Sequence, residues 1–439
     1  MSDQEGISSE GKTDVETDKG KDISRRRFLK NTAIASAGIL AASKAPYGFA
    51  KKKVTLRVMG THVTLQEELR QKAMQDLGFE ILFEPKGSAA VLQKASMFPE
   101  AFDLYEQWSN SIDVLWQSGS IQTIDKRRIK YWDEINSLTK TGRLNPDAKL
   151  GAGDAPYKLL YAQKDGSLSS KTSDNVSFMP YVHNVDSFGY NTAVIPKGIP
   201  YETESWGWLL DEKYRGKVGV VNAPTIGLFD MALAAQARGL MTFKDIGDIT
   251  RAELDQLFHI LSEFKQKGHF SGFWTSVPES VDFMKSGRVV IESMFSPAVS
   301  SLNGAKVPVV YAAPKEGYRG WHGVMCLSSA TEGHQKDAAY EYMNWWLSGW
   351  PGAFIARQGY YISNAQRSRE LLSQDEWDYW YGGKEARTQL KGTDGNVSVR
   401  PGEVRTGGSY ERRFSNVAVW NSVMPTYDYS LQKWYEFIS

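Results

Sequence analysis

The sequence predicts an α/β fold on a mostly parallel sheet, and three observations carry that reading. Residues 54–59 alternate apolar and polar side chains, residues 65–77 keep a helical period closed by Gly78, and residues 79–84 return to strand character. Strand, helix and strand at that spacing form a βαβ unit, whose crossover makes the two strands parallel. Short runs rich in β-branched residues recur further on, at 218–221, 289–292 and 307–312, with helical stretches between them. Finally, the 439-residue chain leaves enough beyond residue 50 for two ordinary domains, each with its own core.

The remaining elements follow in order. Residues 103–106 read as a third strand that runs into Gln107-Trp108-Ser109-Asn110, and a helix at 112–118 stops at Gly119. Residues 163–175 lack periodicity and read as loop. Residues 178–182 and 187–191 read as two extended segments around a crossover. Thr250 caps a helix running through Lys267, and Glu253 completes its capping box. A short helix at 281–285 ends at Gly287, and an aromatic-rich helix spans 336–347. Residues 392–408 form a Gly-rich loop, and the C-terminus is aromatic and helix-like. No internal repeat is present.

Ahead of the fold, Ser24-Arg25-Arg26-Arg27-Phe28-Leu29-Lys30 matches the twin-arginine export pattern S-R-R-x-F-L-K at every defined position. The Ala- and Gly-rich stretch 32–42 is far short of the ~20 apolar residues that span a bilayer, and it suits the apolar part of a cleaved signal. Residues 1–23 are a polar leader. Small residues at Gly48 and Ala50 place cleavage near Ala50, with no cysteine nearby for a lipid anchor. The expectation is a soluble monomer in the periplasm, handled by the twin-arginine translocase during export.

Composition narrows the chemistry. A net charge of +1 offers no clustered positive charge for nucleic acid. Cys326, the only cysteine, sits in the apolar run Val324-Met325-Cys326-Leu327 and reads as a buried, inert thiol. The six histidines, at 62, 183, 259, 269, 322 and 334, have no metal-ligand spacing. No nucleophile elbow, dinucleotide fingerprint or phosphate loop occurs. No metal, no cofactor and no catalytic residue is therefore predicted. Fourteen tryptophans and 21 tyrosines supply rings for the cores and for a pocket able to attract an organic cation. Three polar-aromatic segments directly follow strands: Gly60-Thr61-His62, Gln107-Trp108-Ser109-Asn110 and Phe295-Ser296. Open α/β sheets bind ligands outside the carboxyl ends of their strands, which makes these segments candidates for orienting a small solute.

An ordered series of motifs resembles the polyamine-type solute-binding proteins of ABC importers. It comprises Asp103-Leu104, Gly119-Ser120-Ile121-Gln122-Thr123-Ile124-Asp125, Ser205-Trp206-Gly207-Trp208-Leu209-Leu210 and Tyr214-Arg215-Gly216-Lys217-Val218. Phe229-Asp230-Met231-Ala232-Leu233, Phe283-Met284-Lys285-Ser286-Gly287, Ala313-Pro314-Lys315-Glu316-Gly317 and Gly359-Tyr360 complete it. The resemblance implies a two-lobe periplasmic binding protein (type II), each lobe a mostly parallel sheet flanked by helices, with the ligand between lobes. The lobes are expected at 51–183 plus 323–375 and at 184–322 plus 376–439. Ligand positions implied by the resemblance fall on Thr61, His62, Trp108, Asn110, Trp321, His322 and Tyr360, beside Gln107, Ser109, Phe295 and Ser296 from the strand-end reading.

Two departures from the family bear on specificity. Pro224-Thr225-Ile226-Gly227 stands where polyamine binders place acids, and Trp321-His322-Gly323 keeps the ring but lacks the following aspartate. A desolvated ammonium needs a partner. Glu292 and Asp230 read as structural ahead of ligand contacts, and Arg357 as a surface charge ahead of a carboxylate partner. The expected solute is a small organic nitrogenous molecule (polyamine-like, betaine-like, or an opine or amino-acid conjugate) delivered to an inner-membrane permease. The alternatives are an exported enzyme on the same fold and the binding lobe of a sensor.

Overall fold

A computed structural model describes residues 54–439, so the export motif and the cleavage position lie outside the described residues. The strands that organise the fold are β1 (Thr55–Gly60), β2 (Glu80–Pro85), β3 (Leu104–Trp108), β4 (Met179–Asn191), β5 (Val218–Val221), β6 (Phe270–Trp274), β7 (Ile291–Met294), β8 (Val309–Tyr311), β9 (Tyr318–Ser328) and β10 (Val417–Trp420). They run in the order β6-β5-β7-β4-β9-β3-β1-β2, with β8 joining β4 and β10 joining β9. At one end β1 pairs parallel with β2 and β3, and at the other β5 pairs parallel with β6 and β7. The predicted βαβ opening is present: helix α1 (Glu67–Leu77) links β1 to β2 and ends on Gly78, whose φ of 73° requires the left-handed freedom of glycine.

Two long antiparallel strands, β4 and β9, join the ends of the sheet, with Trp321 opposite Asn184 and His322 opposite His183. The sequence reading differs here. Residues 178–182 and 187–191 are not separate segments but parts of the 13-residue β4, and β9 was not read as a strand at all. The polar run His183-Asn184-Val185-Asp186 breaks the apolar pattern expected of a buried strand. Its backbone remains extended because β9 supplies the ladder partners. Strand β7 lies two residues later than the predicted 289–292, and the helix predicted at 281–285 begins at Val277.

Four buried apolar clusters follow this plan. One packs Leu56, Val58, Ile81, Leu104 and Met325 under Trp346. A second joins Phe188, Val218 and Ile291 to helices α2 (Pro224–Ala237), α3 (Arg251–Gln266) and α5 (Tyr427–Ile438), and a fourth surrounds Trp274, Phe283 and Met294 beside α4 (Ser296–Gly304). The capping box of Thr250 and Glu253 on α3 forms as expected. The C-terminal segment divides: Trp434 and Phe437 join the second cluster, whereas Trp380, Phe414 and Trp420 join a third around Tyr318 and Tyr361. Cys326 is fully buried, and burial pushes its thiol up from the ordinary value. No helix among the described residues is long and apolar enough to cross a membrane, and no group of acidic, His or Cys residues there could hold a metal.

Candidate functional site

The crossing strands and the end of β3 bring three rings together. Trp108 closes β3, Trp321 lies in β9 opposite Asn184, and Tyr360 follows the Gly359 turn. The Trp108 and Trp321 rings meet edge-on at 4.9 Å, and Trp321 meets Tyr360 at 5.7 Å. Such edge contacts place a ring's positive rim on its neighbour's negative face and leave other faces free for a ligand. Trp321 is buried, while Trp108 and Tyr360 keep partial exposure.

Polar atoms around these rings lack partners. Asn184 is fully buried, yet neither its amide nitrogen nor its oxygen has a protein partner, and the Trp108 indole N–H has none either. Buried polar groups are normally satisfied, and each one left unmatched costs about 1–3 kcal/mol. Two positions along β4, Asp186 accepts from the Tyr311 hydroxyl at 3.1 Å and lies 3.5 Å from the Arg319 guanidinium. Burial raises the Asp186 carboxyl, opposed by Arg319, Tyr311 and the Trp321 indole. Arg319 also holds Asp230 of α2 at 2.7 Å and Asn421 at 3.3 Å.

The candidates from sequence distribute unevenly around this cluster. Thr61 is buried and His62 exposed at the end of β1, on the loop that Gln66 ties to Gln358 at 2.9 Å, next to the Tyr360 turn. Ser296 starts α4 and faces the same turn: a Cβ on Gly359 would come within 2.6 Å of its hydroxyl oxygen. Ser109 donates to the Asp154 carbonyl, and Asn110 is buried beside it. Phe295 packs against Trp274 at 5.0 Å, within the fourth apolar cluster. Gln107 turns from the rings to bond Tyr105 and Ser88. His322 also turns away, stacked on His183 at 4.8 Å and bonded to Thr139 at 2.7 Å. Glu292 bonds Ser280 inside its own half, and Arg357 pairs with Glu376 at 2.6 Å.

Sequence reasoning misses Asn184 and Asp186, which fall in the crossover between the two extended segments, and Tyr311, which reads only as part of the strand at 307–312. It also misses Asp154, whose carboxylate accepts the Val423 N–H at 2.9 Å and which burial pushes up to about 7, with Asp113 adding like charge. Glu106, one pleat from Trp108 on β3, is likewise raised by burial to about 7, against hydrogen bonds from Thr64 and Tyr181. At these two carboxyls the folded protein therefore holds protons that the unfolded chain has released between about pH 4 and 7. The stability contributed by neutral Glu106 is complete below that window and is lost as pH rises through about 7. Urea unfolding at pH 5 and 8 checks this. Wild type should lose roughly 2–3 kcal/mol more over that interval than Glu106→Gln, and equal slopes would place the proton elsewhere.

A sheet joined by two crossing strands, with rings and unmatched polar atoms where they meet, defines a small-molecule binding protein. The chain belongs to the bacterial extracellular solute-binding protein family, whose model matches residues 70–403. No curated protein matches it. Among solved structures, the Tp0655 (TpPotD) lipoprotein of Treponema pallidum is similar at 13% identity and a TM-score of 0.61, over 88% of this chain and 99% of that one. The spermidine/putrescine ABC transporter substrate-binding protein PotD of Streptococcus pneumoniae gives 13% and 0.57, over 88% and 99%. A binding protein of A. tumefaciens R10 in complex with agropinic acid gives 12% and 0.54, over 88% and 99%. At such identities the likeness is one of fold.

Proposed function

We propose that this protein is the solute-binding component of an ABC importer, exported by the twin-arginine route to the periplasm. It captures a small organic nitrogenous solute by closure of its lobes and passes it to a membrane permease. The observation that carries this reading is Asn184, buried at the crossing of β4 and β9 with both amide atoms unmatched beside Trp108, Trp321 and Tyr360. A solute with both donors and acceptors would satisfy that amide. The rings would hold its ammonium or methylated nitrogen by cation–π contact.

Acidic groups in the region temper the polyamine resemblance. Asp186 is already engaged by Arg319 and Tyr311. Asp113 and Asp154 lie on the side of Ser109, but burial raises both carboxyls toward the neutral form, Asp154 to about 7, which weakens them as partners for a cationic end. The solved structures named above include a protein of a spermidine/putrescine transporter and a complex with agropinic acid, which supports keeping both kinds of solute in the screen.

A thermal-shift screen of the purified mature protein over polyamines, betaines, amino acids and opine-type conjugates tests the proposal. Binding at a hundred times Kd stabilises by about 2.7 kcal/mol, enough to read. Recovery of the stabilising compound unchanged after prolonged incubation supports a binding role. Its conversion to product would replace this reading with that of an exported enzyme.

A further inference from the structure

A cavity of about 680 Å³ opens between α4, the edge strand β8 and the C-terminal residues 398–406. Its charge is one-sided. Lys197, Lys306 and Arg400 stand on its walls with Arg405 and Arg413, and the one carboxylate among its lining residues, Glu403, lies 3.7 Å from Arg400.

The two buried arginines set this cavity apart from an ordinary basic surface. Arg405 is 8% exposed and Arg413 1% exposed. Arg405 donates to the Tyr361 hydroxyl at 2.6 Å and to the carbonyls of Trp380 and Gly359 at 3.3 and 2.6 Å. Arg413 donates to the carbonyls of Thr406 at 2.7 Å and Val185 at 3.4 Å, and its Nε has no acceptor. Among the described residues neither guanidinium has a carboxylate partner. Asp186, which feels the charge of Arg413, is committed to Arg319 and Tyr311. Burial accordingly pulls Arg405 below its ordinary value. Rings lie beside both, Tyr361 and Trp380 at 4.8 and 5.1 Å from Arg405 and Tyr318 at 5.0 Å from Arg413. Yet two buried guanidiniums without a carboxylate keep a net positive charge that an anion would neutralise.

We infer that this cavity is a second binding site, for a small anion whose carboxylate or phosphoryl oxygens meet Arg405 and Arg413 while Lys197, Lys306 and Arg400 neutralise the remainder. The planar fork of arginine matches both oxyanions, and the volume lies within the ~300–1,000 Å³ typical of small-molecule pockets. The site adjoins the solute cluster, since Ser296 and Tyr311 line the cavity as well. Arg405 grips the carbonyl of Gly359, directly before Tyr360, so an anion that fixes Arg405 also fixes the turn carrying that ring.

Solute-free protein titrated at constant ionic strength with inorganic phosphate, and separately with citrate, provides the test. The expected result is saturable stabilisation by at least one of them, together with a change in tryptophan fluorescence from Trp380 in the cavity wall. Citrate acting alone assigns carboxylate, phosphate alone assigns phosphoryl, and either fits the site. Lys197→Gln with Arg400→Gln should weaken binding at least about fivefold without altering the anion-free melting temperature. If loss of the Arg400 bonds to Asn303 and Gly304 lowers that temperature, Lys306→Asn replaces it, because asparagine tolerates the left-handed backbone (φ 62°) at that position. Stabilisation that never saturates, or that is the same in the variants, overturns the inference. Because no solute is present, this outcome is independent of the proposed transport role.

Discussion

Arg319→Ala is expected to destabilise the protein by about 3–5 kcal/mol, the cost of leaving a buried ion cluster without its cation. Arg319 holds Asp230 at 2.7 Å and Asp186 at 3.5 Å, and all three side chains are between 0% and 5% exposed. Removing the guanidinium leaves two buried carboxylates with no other cation bonded to them among the described residues. The pH dependence distinguishes this cause from simple loss of packing. Burial pushes the Asp230 carboxyl up, to about 6, even with Arg319 present, and without it protonation becomes easier still. The penalty should therefore be larger at pH 7.5 than at pH 5. A cavity left by a lost side chain would cost the same at both. Urea unfolding of wild type and variant at the two pH values decides, and a loss below about 1 kcal/mol at pH 7.5 would mean the cluster is hydrated. The consequence reaches function, because Arg319 joins both crossing strands, helix α2 and Asn421, the frame on which the rings are mounted.

The cluster also shows what the sequence displayed and what it concealed. The βαβ opening was legible because residues 54–84 alternate period-2 and helical patterns, with Gly78 as punctuation. The capping box on α3 was legible because Thr250 and Glu253 stand at fixed spacing. Trp108, Trp321 and Tyr360 were picked out from strand-end position and family resemblance, and the structure brings their rings into contact. Asn184 and Asp186 were concealed for a physical reason. A strand buried on both faces ordinarily reads as an apolar run, whereas β4 carries histidine, asparagine and aspartate where the strands cross. Local pattern sees polarity and infers a break. The partners that permit it, Arg319 and Tyr311, lie more than a hundred residues away. His322 illustrates the opposite error of proximity. It neighbours Trp321 in sequence, yet the pleat sends it to the other face and into the stack with His183.

Trp321→Ala and Trp108→Ala should each weaken solute binding at least about tenfold, equivalent to some 1.4 kcal/mol, as the loss of an aromatic wall from a cation-accepting site predicts. The two effects differ in degree. Trp108 is partly exposed, so its truncation removes ligand contact at a smaller cost in stability than that of Trp321. Trp321 is 6% exposed and lies between Trp108 and Tyr360, so its truncation also opens a cavity, with a stability cost of about 3–5 kcal/mol. Trp321→Phe retains a ring and most of the packing, and it separates the two losses: affinity should fall while the fold holds. Because the rings touch at 4.9 Å, the double alanine variant should lose less than the sum of the single losses, for either truncation already frees the other ring to move. Trp116, whose indole N–H bonds the Gly166 carbonyl away from this cluster, supplies the control, and Trp116→Ala should bind normally. Calorimetric titration with the solute from the screen reads all five variants. Normal affinity in both Trp108→Ala and Trp321→Phe would move the solute away from the crossing strands.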